Sequence, residues 1–254
     1  MGAAQVRVEN LSFAYRQGNA VLQEISFRVK AGECLGVIGL NGSGKTTLCY
    51  CLSGIIPHYY RGIFTGDVFI NDRNTKDIDL GQIAHEVGII LQNPNDQIIM
   101  PTVEDEIVFG LENNLMPRDV IAERLNRVLE QVNLSHLREE DPNRLSGGEK
   151  QLVVIAAVLA LEPPLLVFDE SLSMLDEKAA QNILTVMRRL KQQRRTMIIV
   201  DHTWKAVPLF DKVLVLEKGR VIYQGGKEEL LKDRDFLGEH QLLFPGRRDA
   251  NCRI

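Results

Sequence analysis

Cys34-Leu35-Gly36-Val37-Ile38-Gly39-Leu40-Asn41-Gly42-Ser43-Gly44-Lys45-Thr46-Thr47-Leu48-Cys49-Tyr50-Cys51-Leu52 carries three local signals in succession. Cys34 to Ile38 is an apolar run of strand length that stops at a glycine. Gly39 to Thr46 then has the spacing G-x-x-x-x-G-K-T, whose backbone N–H groups cradle phosphates while a lysine neutralises them and a hydroxyl meets a magnesium ion. Thr46 to Leu52 carries helix formers and halts at Ser53-Gly54. A loop between a strand and a helix N-terminus is where free N–H groups and the helix dipole hold anions, so the stretch predicts a phosphate loop in an α/β fold. Within it, Asn41, Gly42, Ser43 and Gly44 supply the cradle, and Lys45 faces the β and γ phosphates. Thr46 is the expected magnesium ligand and Thr47 a donor to an α-phosphate.

On either side of this stretch the hydrophobic pattern extends the fold. Val6 to Val8 and Leu22 to Val29 alternate like strands with one wet face, which suggests an antiparallel N-terminal β subdomain. Val87 to Leu91, Leu165 to Phe168, Met197 to Val200 and Val213 to Leu216 are apolar runs separated by helical patterns such as Lys178 to Gln192. That alternation argues a mostly parallel sheet with helices on its faces. Between them the pattern turns helical, with Val103 to Leu111 and Arg118 to Val132 as expected helices of an inserted helical subdomain over 92–145. No second phosphate loop and no long heptad run occur, so 1–254 reads as a single nucleotide-binding domain ending in a short C-terminal tail, 226–254.

Bulk properties narrow the classes. A formal charge of −4, with acids and bases interspersed, leaves no basic stripe for nucleic acid. The longest apolar run, Leu152 to Leu161, is shorter than the roughly 20 residues that cross a bilayer. Met1-Gly2-Ala3-Ala4-Gln5 lacks the basic start and apolar core of a secretory signal, which points to the cytosol. Cys34, Cys49, Cys51 and Cys252 show no zinc spacing and read as reduced thiols.

Asp169 and Glu170 close the apolar run Leu165 to Phe168. Adjacent strand residues point to opposite sides, so one carboxylate, Asp169, is expected to serve the metal through its water shell, and Glu170 to act as general base or to position water. Read alone they are two solvated strand-end acids; behind a phosphate loop the chemical reading prevails.

Leu145-Ser146-Gly147-Gly148-Glu149-Lys150-Gln151 fits the capping-box pattern S-x-x-E ahead of an apolar helix, Leu152 to Leu161, and so marks a helix N-terminus. The heptapeptide, placed between the phosphate loop and Leu165-Leu166-Val167-Phe168-Asp169-Glu170, also resembles the signature of the ATP-binding-cassette (ABC) ATPases. That resemblance implies a P-loop NTPase of ABC type with ATP and Mg2+, in which Ser146 and Gly148 reach the nucleotide of an opposing protomer. It also implies that Asp176, in Ser173-Met174-Leu175-Asp176, crosses the same interface. Gln92 resembles the glutamine that senses magnesium and water, and Tyr15 the aromatic that stacks on adenine, with Phe13 alternating onto its side. His202 resembles the histidine that contacts the γ-phosphate, although Asp201-His202-Thr203 departs from the commoner threonine-before, aspartate-after form. His58 reads as a surface loop residue without a catalytic role.

Gln92-Asn93-Pro94-Asn95-Asp96-Gln97, Thr102 to Asn113 and the loop Ile56 to Gly62 resemble the ATPases of energy-coupling factor (ECF) transporters, with Ser171-Leu172 in place of the frequent proline or alanine followed by threonine. The resemblance implies a motor subunit of an importer for a vitamin or transition-metal ion, peripheral on the cytoplasmic side of the membrane. Its partners would be a second ABC protomer, a membrane scaffold subunit and a membrane substrate-binding subunit. Ile98, Ile99 and Met100 beside Glu104 to Glu106 are expected to receive an apolar, arginine-bearing helix of that scaffold; equally, Thr102 caps a helix whose first-turn acids complement its dipole. A soluble ABC ATPase, such as one serving an iron–sulfur assembly scaffold, is the competing reading.

Overall fold

The computed structural model describes residues 4–242. In chain order these form β1 (Ala4–Ala14), β2 (Leu22–Lys30), β3 (Cys34–Ile38), α1 (Lys45–Leu52), the single turn α2 (Ile55–His58), β4 (Ile63–Ile70), β5 (Arg73–Asn74), α3 (Leu80–Glu86) and β6 (Val87–Ile90). Then follow α4 (Val103–Asn113), α5 (Arg118–Val132), α6 (Gly147–Ala160), β7 (Leu165–Asp169), α7 (Glu177–Gln192), β8 (Thr196–Val200), β9 (Lys212–Glu217), β10 (Arg220–Gly226), α8 (Lys227–Lys232) and α9 (Arg234–Glu239).

Two sheets result. A four-stranded antiparallel sheet has the order β2-β1-β4-β5, and a six-stranded sheet has the order β10-β9-β3-β8-β7-β6. In the larger sheet β9, β3, β8, β7 and β6 run parallel, and only β10 is antiparallel, pairing with β9. Strands buried on both faces still alternate between two cores. Leu35, Val37, Val167, Ile198 and Val200 face α1 and the antiparallel sheet, whereas Ile38, Phe168, Met197 and Ile199 face α4, α5, α6 and α7.

β1 is longer than the Val6 to Val8 alternation suggests. Its pairing with β2 slips between Val8 and Leu11, where Asn10 adopts a φ of 48°, so the period-two pattern changes phase midway through one strand. β10 carries Gly225-Gly226 and sits half-buried at the sheet edge, which explains why no apolar run announced it. α8 and α9 occupy part of the expected tail, and 243–254, with Cys252, lie outside the described residues. Cys34, Cys49 and Cys51 are free and buried.

β3, β8 and β7 are consecutive and parallel, so their C-terminal ends bring the loops after Ile38, Val200 and Asp169 to one edge of the sheet. Ligands of open α/β sheets bind at that carboxyl edge.

Candidate nucleotide site

The loop leaving β3 needs left-handed backbone at Gly44, whose φ is 105°. A Cβ there would lie 2.9 Å from both Leu22 Cδ2 and Val21 O. Gly44 is also the N-cap of α1 and offers no side-chain acceptor to the first helical N–H groups, which remain available to an anion. Val21, Asn41, Gly42, Gly44, Lys45, Thr46, Thr47, Gln92 and Glu170 line one cleft of about 350 Å³ there. Ser43 is buried behind the loop, and its Oγ has no hydrogen-bond partner among the described residues.

Lys45 is buried at the cleft floor. Its Nζ donates to the carbonyls of Gly39 at 3.0 Å and Leu40 at 3.1 Å, and lies 3.1 Å from Glu170 Oε1. Thr46 Oγ1 donates to Asp169 Oδ1 at 3.2 Å. Burial pushes the Asp169 carboxyl up to about 6, while the Thr46 hydroxyl bond opposes that rise, Glu170 adds to it and Lys45 opposes it. A dication beside Asp169 would favour the ionised form.

Glu170 corrects the strand-alternation expectation. β7 ends at Asp169, and Glu170 follows in left-handed backbone at φ 49°, its N–H held by Val200 O at 3.1 Å. The turn carries its carboxylate back toward Lys45 instead of to an opposite face, so both acids serve the same end of the sheet. Glu170 Oε2 is 3.1 Å from His202 Nδ1, which lies within ion-pair distance but out of line for a hydrogen bond. Gln92 Nε2 donates to Ser173 Oγ at 3.3 Å, and Ser173 Oγ donates to Glu170 O at 2.8 Å. Ser173 thereby ties Gln92 to the backbone of Glu170.

Tyr15 stands 42% exposed, with its hydroxyl 3.5 Å from Thr47 Oγ1. Phe13 meets it edge-on at 4.8 Å between centroids but is buried in the core, which leaves Tyr15 as the accessible ring of the pair. His58 is exposed, 2.7 Å from Thr75 O through Nε2, and does not line the cleft.

Ser146, Gly148 and Asp176 do not line the cleft. Ser146 caps α6 in a complete capping box, its N–H and Oγ both donating to Glu149 Oε2 at 2.8 and 2.6 Å. Those two bonds hold the Glu149 carboxyl below its usual range. Asp176 caps α7, accepting from Ala179 N at 2.8 Å. A Cβ on Gly148 would lie 2.5 Å from Ala179 Cβ, so the two caps are packed together.

α6 also grips the segment on both sides of Gln92. Gln151 Nε2 donates to Leu91 O at 3.1 Å, and Lys150 Nζ to Asn95 Oδ1 at 2.9 Å. Gln97 completes the hold by inserting its amide along the open edge of β6, accepting from Leu91 N at 2.6 Å and donating to Ile89 O at 3.0 Å. The acids of the expected docking face have partners within the chain. Glu104 is forked onto Arg138, with Nη2 to Oε1 at 3.0 Å, and Glu106 is buried, its Oε2 accepting from Ile99 N and Met100 N at 2.9 Å each. Asp105 accepts from Thr102 Oγ1 at 2.7 Å. These acids are committed within the chain, whereas Ile99 is 66% exposed.

The family description "ABC transporter" matches residues 22–173, a span that includes the phosphate loop, the signature heptapeptide and Asp169-Glu170. The chain belongs to the ABC transporter family. It is 42% identical over 232 residues to the energy-coupling factor transporter ATP-binding protein EcfA1 of Fusobacterium nucleatum, covering 91% of this chain and 86% of that protein. It is 38% identical over 249 residues to EcfA1 of Mycoplasmoides gallisepticum, covering 98% and 88%. A solved structure of cbiO1 from Clostridium perfringens, described as part of the ABC transporter complex cbiONQ, superposes with a TM-score of 0.80 at 29% identity over 95% of this chain and 96% of that one. The chain is thus an ATP-binding ABC ATPase, and its two sheets are those of an ABC ATPase fold. Among the described residues, no helix is long and apolar enough to cross a membrane.

Proposed function

We propose that this ABC ATPase is the ATP-hydrolysing motor subunit of an ECF-type importer for a vitamin or transition-metal ion. The observation that carries the proposal is a division of the motifs. Lys45, Thr46, Asp169, Glu170, His202 and Gln92 gather at the carboxyl edge of the sheet, whereas Ser146, Gly148 and Asp176 form a separate, packed helix-end surface. A second protomer, identical or paralogous, would bring the latter onto the former's nucleotide.

In this reading the backbone of Asn41, Gly42, Ser43 and Gly44 cradles the phosphates, Lys45 pairs with the β and γ phosphates, Thr47 donates to the α-phosphate, and Tyr15 stacks on adenine. Thr46 and Asp169, with Gln92, fit a magnesium ion, which prefers a hydroxyl and a carboxylate completed by water and phosphate oxygens. When bound, that ion would neutralise phosphate charge. Glu170 accepts the proton of the attacking water or positions it, and His202 stands beside Glu170 to meet the γ-phosphate.

Ile99 and Met100, held by Glu106, would receive an apolar helix of a membrane scaffold, and the Gln97, Lys150 and Gln151 contacts would carry closure of α6 to Gln92. The helical segment 92–145 is the part that would move. The EcfA1 relatives are named as transporter ATP-binding proteins and cbiO1 as part of a transporter complex, which supports a place at a membrane, peripheral and on its cytoplasmic face in this reading. Substrate choice would rest with a separate membrane subunit. Purification of the full-length chain from native membranes in mild detergent tests this. Recovery of hydrophobic scaffold and substrate-binding subunits is expected, while recovery only from the soluble fraction, with iron–sulfur assembly proteins, would overturn it.

A further inference from the structure

The turn after β8 reads Asp201-His202-Thr203-Trp204-Lys205-Ala206. Asp201 is 3% exposed and receives donors on both carboxylate oxygens. Oδ1 accepts from Thr203 N at 2.7 Å and Thr203 Oγ1 at 2.6 Å, and Oδ2 accepts from Ala206 N at 2.8 Å. The Asp201 N–H donates to Val37 O at 3.2 Å, anchoring the turn to β3, the strand that feeds the phosphate loop. A threonine hydroxyl at this position offers one oxygen and cannot span Thr203 and Ala206 in this way.

The turn needs such a clamp. Trp204 is buried with a φ of 65°, a conformation that bulky residues hold only when their surroundings impose it. His202 lies between Asp201 and Thr203, the nearer of the two residues that the Asp201 carboxylate holds. Its own ring is not held by a bond at Nδ1, which faces Glu170 Oε2 at 3.1 Å without hydrogen-bond alignment. With no bond at Nδ1 to fix the ring, the backbone that carries the imidazole bears directly on its direction.

We infer that Asp201 is a positioning residue whose buried carboxylate clamps the turn from Thr203 to Ala206 and so stands the His202 ring against Glu170. This rests on the reading of His202 proposed above, and it gives the departure from a threonine at this place a physical purpose. In Asp201→Asn the shape is kept, but an NH2 group is turned toward one set of donors, so the clamp opens on one side.

The test is steady-state ATP hydrolysis by the full-length chain in the assembly with which it copurifies, comparing Asp201→Asn, His202→Ala and the double variant. Asp201→Asn should lower kcat roughly 10- to 100-fold, as small misplacements of reacting groups do, with KM for ATP nearly unchanged. On the His202→Ala background it should cost nothing further, because residues acting through one another are not additive. If Asp201→Asn does not fold, Thr203→Val removes the hydroxyl donor alone and should show the same non-additivity on a smaller loss. Losses that multiply in the double variant, or an unchanged kcat, would overturn the inference while leaving His202 in place. A His202→Ala variant at the parental rate would remove the His202 reading and this inference together.

Discussion

Lys45 and Glu170 form a buried ion pair, Nζ to Oε1 at 3.1 Å, with side chains 3% and 10% exposed. The residue that would meet the phosphates and the one that would meet the attacking water are thus electrostatically joined across the cleft. A phosphate approaching Lys45 would compete with Glu170 for the ammonium, while the other oxygen of the carboxylate already lies 3.1 Å from His202 Nδ1.

Glu170→Gln separates binding from turnover. The amide keeps the size of the side chain and removes the charge that competes for Lys45, so ATP affinity should hold or rise. Turnover should fall by about 100-fold or more, because the water loses its acceptor. Equilibrium binding of ATP and single-turnover hydrolysis check both halves. Hydrolysis near the parental rate would remove Glu170 from the chemistry.

The site was legible in the sequence to the extent that chain order dictates geometry. Lys45, Thr46, Asp169 and His202 lie at or beyond the C-terminal ends of three neighbouring parallel strands, and apolar runs of strand length are visible without coordinates. What stayed hidden was carried by side chains bonding to backbone. Gln97 along β6, Gln151 on Leu91 O and Ser173 between Gln92 and Glu170 have no periodicity to betray them. Strand alternation does not describe Glu170 for a related reason, since it stops where φ turns positive. The acids of α4 looked like a docking face because their partners, Arg138 and the amides of Ile99 and Met100, are set by the fold and not by local spacing.

Glu104 and Glu106 differ in what each contributes to stability. Arg138 hydrogen-bonded to Glu104 holds that carboxyl below its usual value. A depressed folded-state pKa stabilises above the unfolded value and is lost as pH falls through the folded one. The Glu104→Gln variant should therefore be less stable than the parent at neutral pH and converge with it as the pH falls below about 4. With Glu104 36% and Arg138 40% exposed, the gap should be about 1 kcal/mol or less. Glu106→Ala should cost more, about 1–3 kcal/mol, because the Ile99 and Met100 amides lose a buried acceptor. Denaturant unfolding of the three proteins at neutral and acid pH decides it, and a gap at Glu104 that persists in acid would count against the pair.

Gly148 lies where α6 meets the cap of α7, and a methyl group there would come within 2.5 Å of Ala179 Cβ. Ala179 N is the group that Asp176 caps, so Gly148→Ala must push the Ser146 end of α6 and the Asp176 cap apart. None of these residues lines the cleft at Lys45, and ATP binding by one protomer should survive, with a stability loss of about 1–3 kcal/mol from overpacking. Association should not survive, because the displaced surface is the one proposed to close over the partner's nucleotide. Sedimentation of the Glu170→Gln form saturated with ATP should show dimers, and the same form carrying Gly148→Ala should sediment as single protomers. Dimers of undiminished affinity in the double variant would mean that the helix-end surface does not meet the opposing nucleotide.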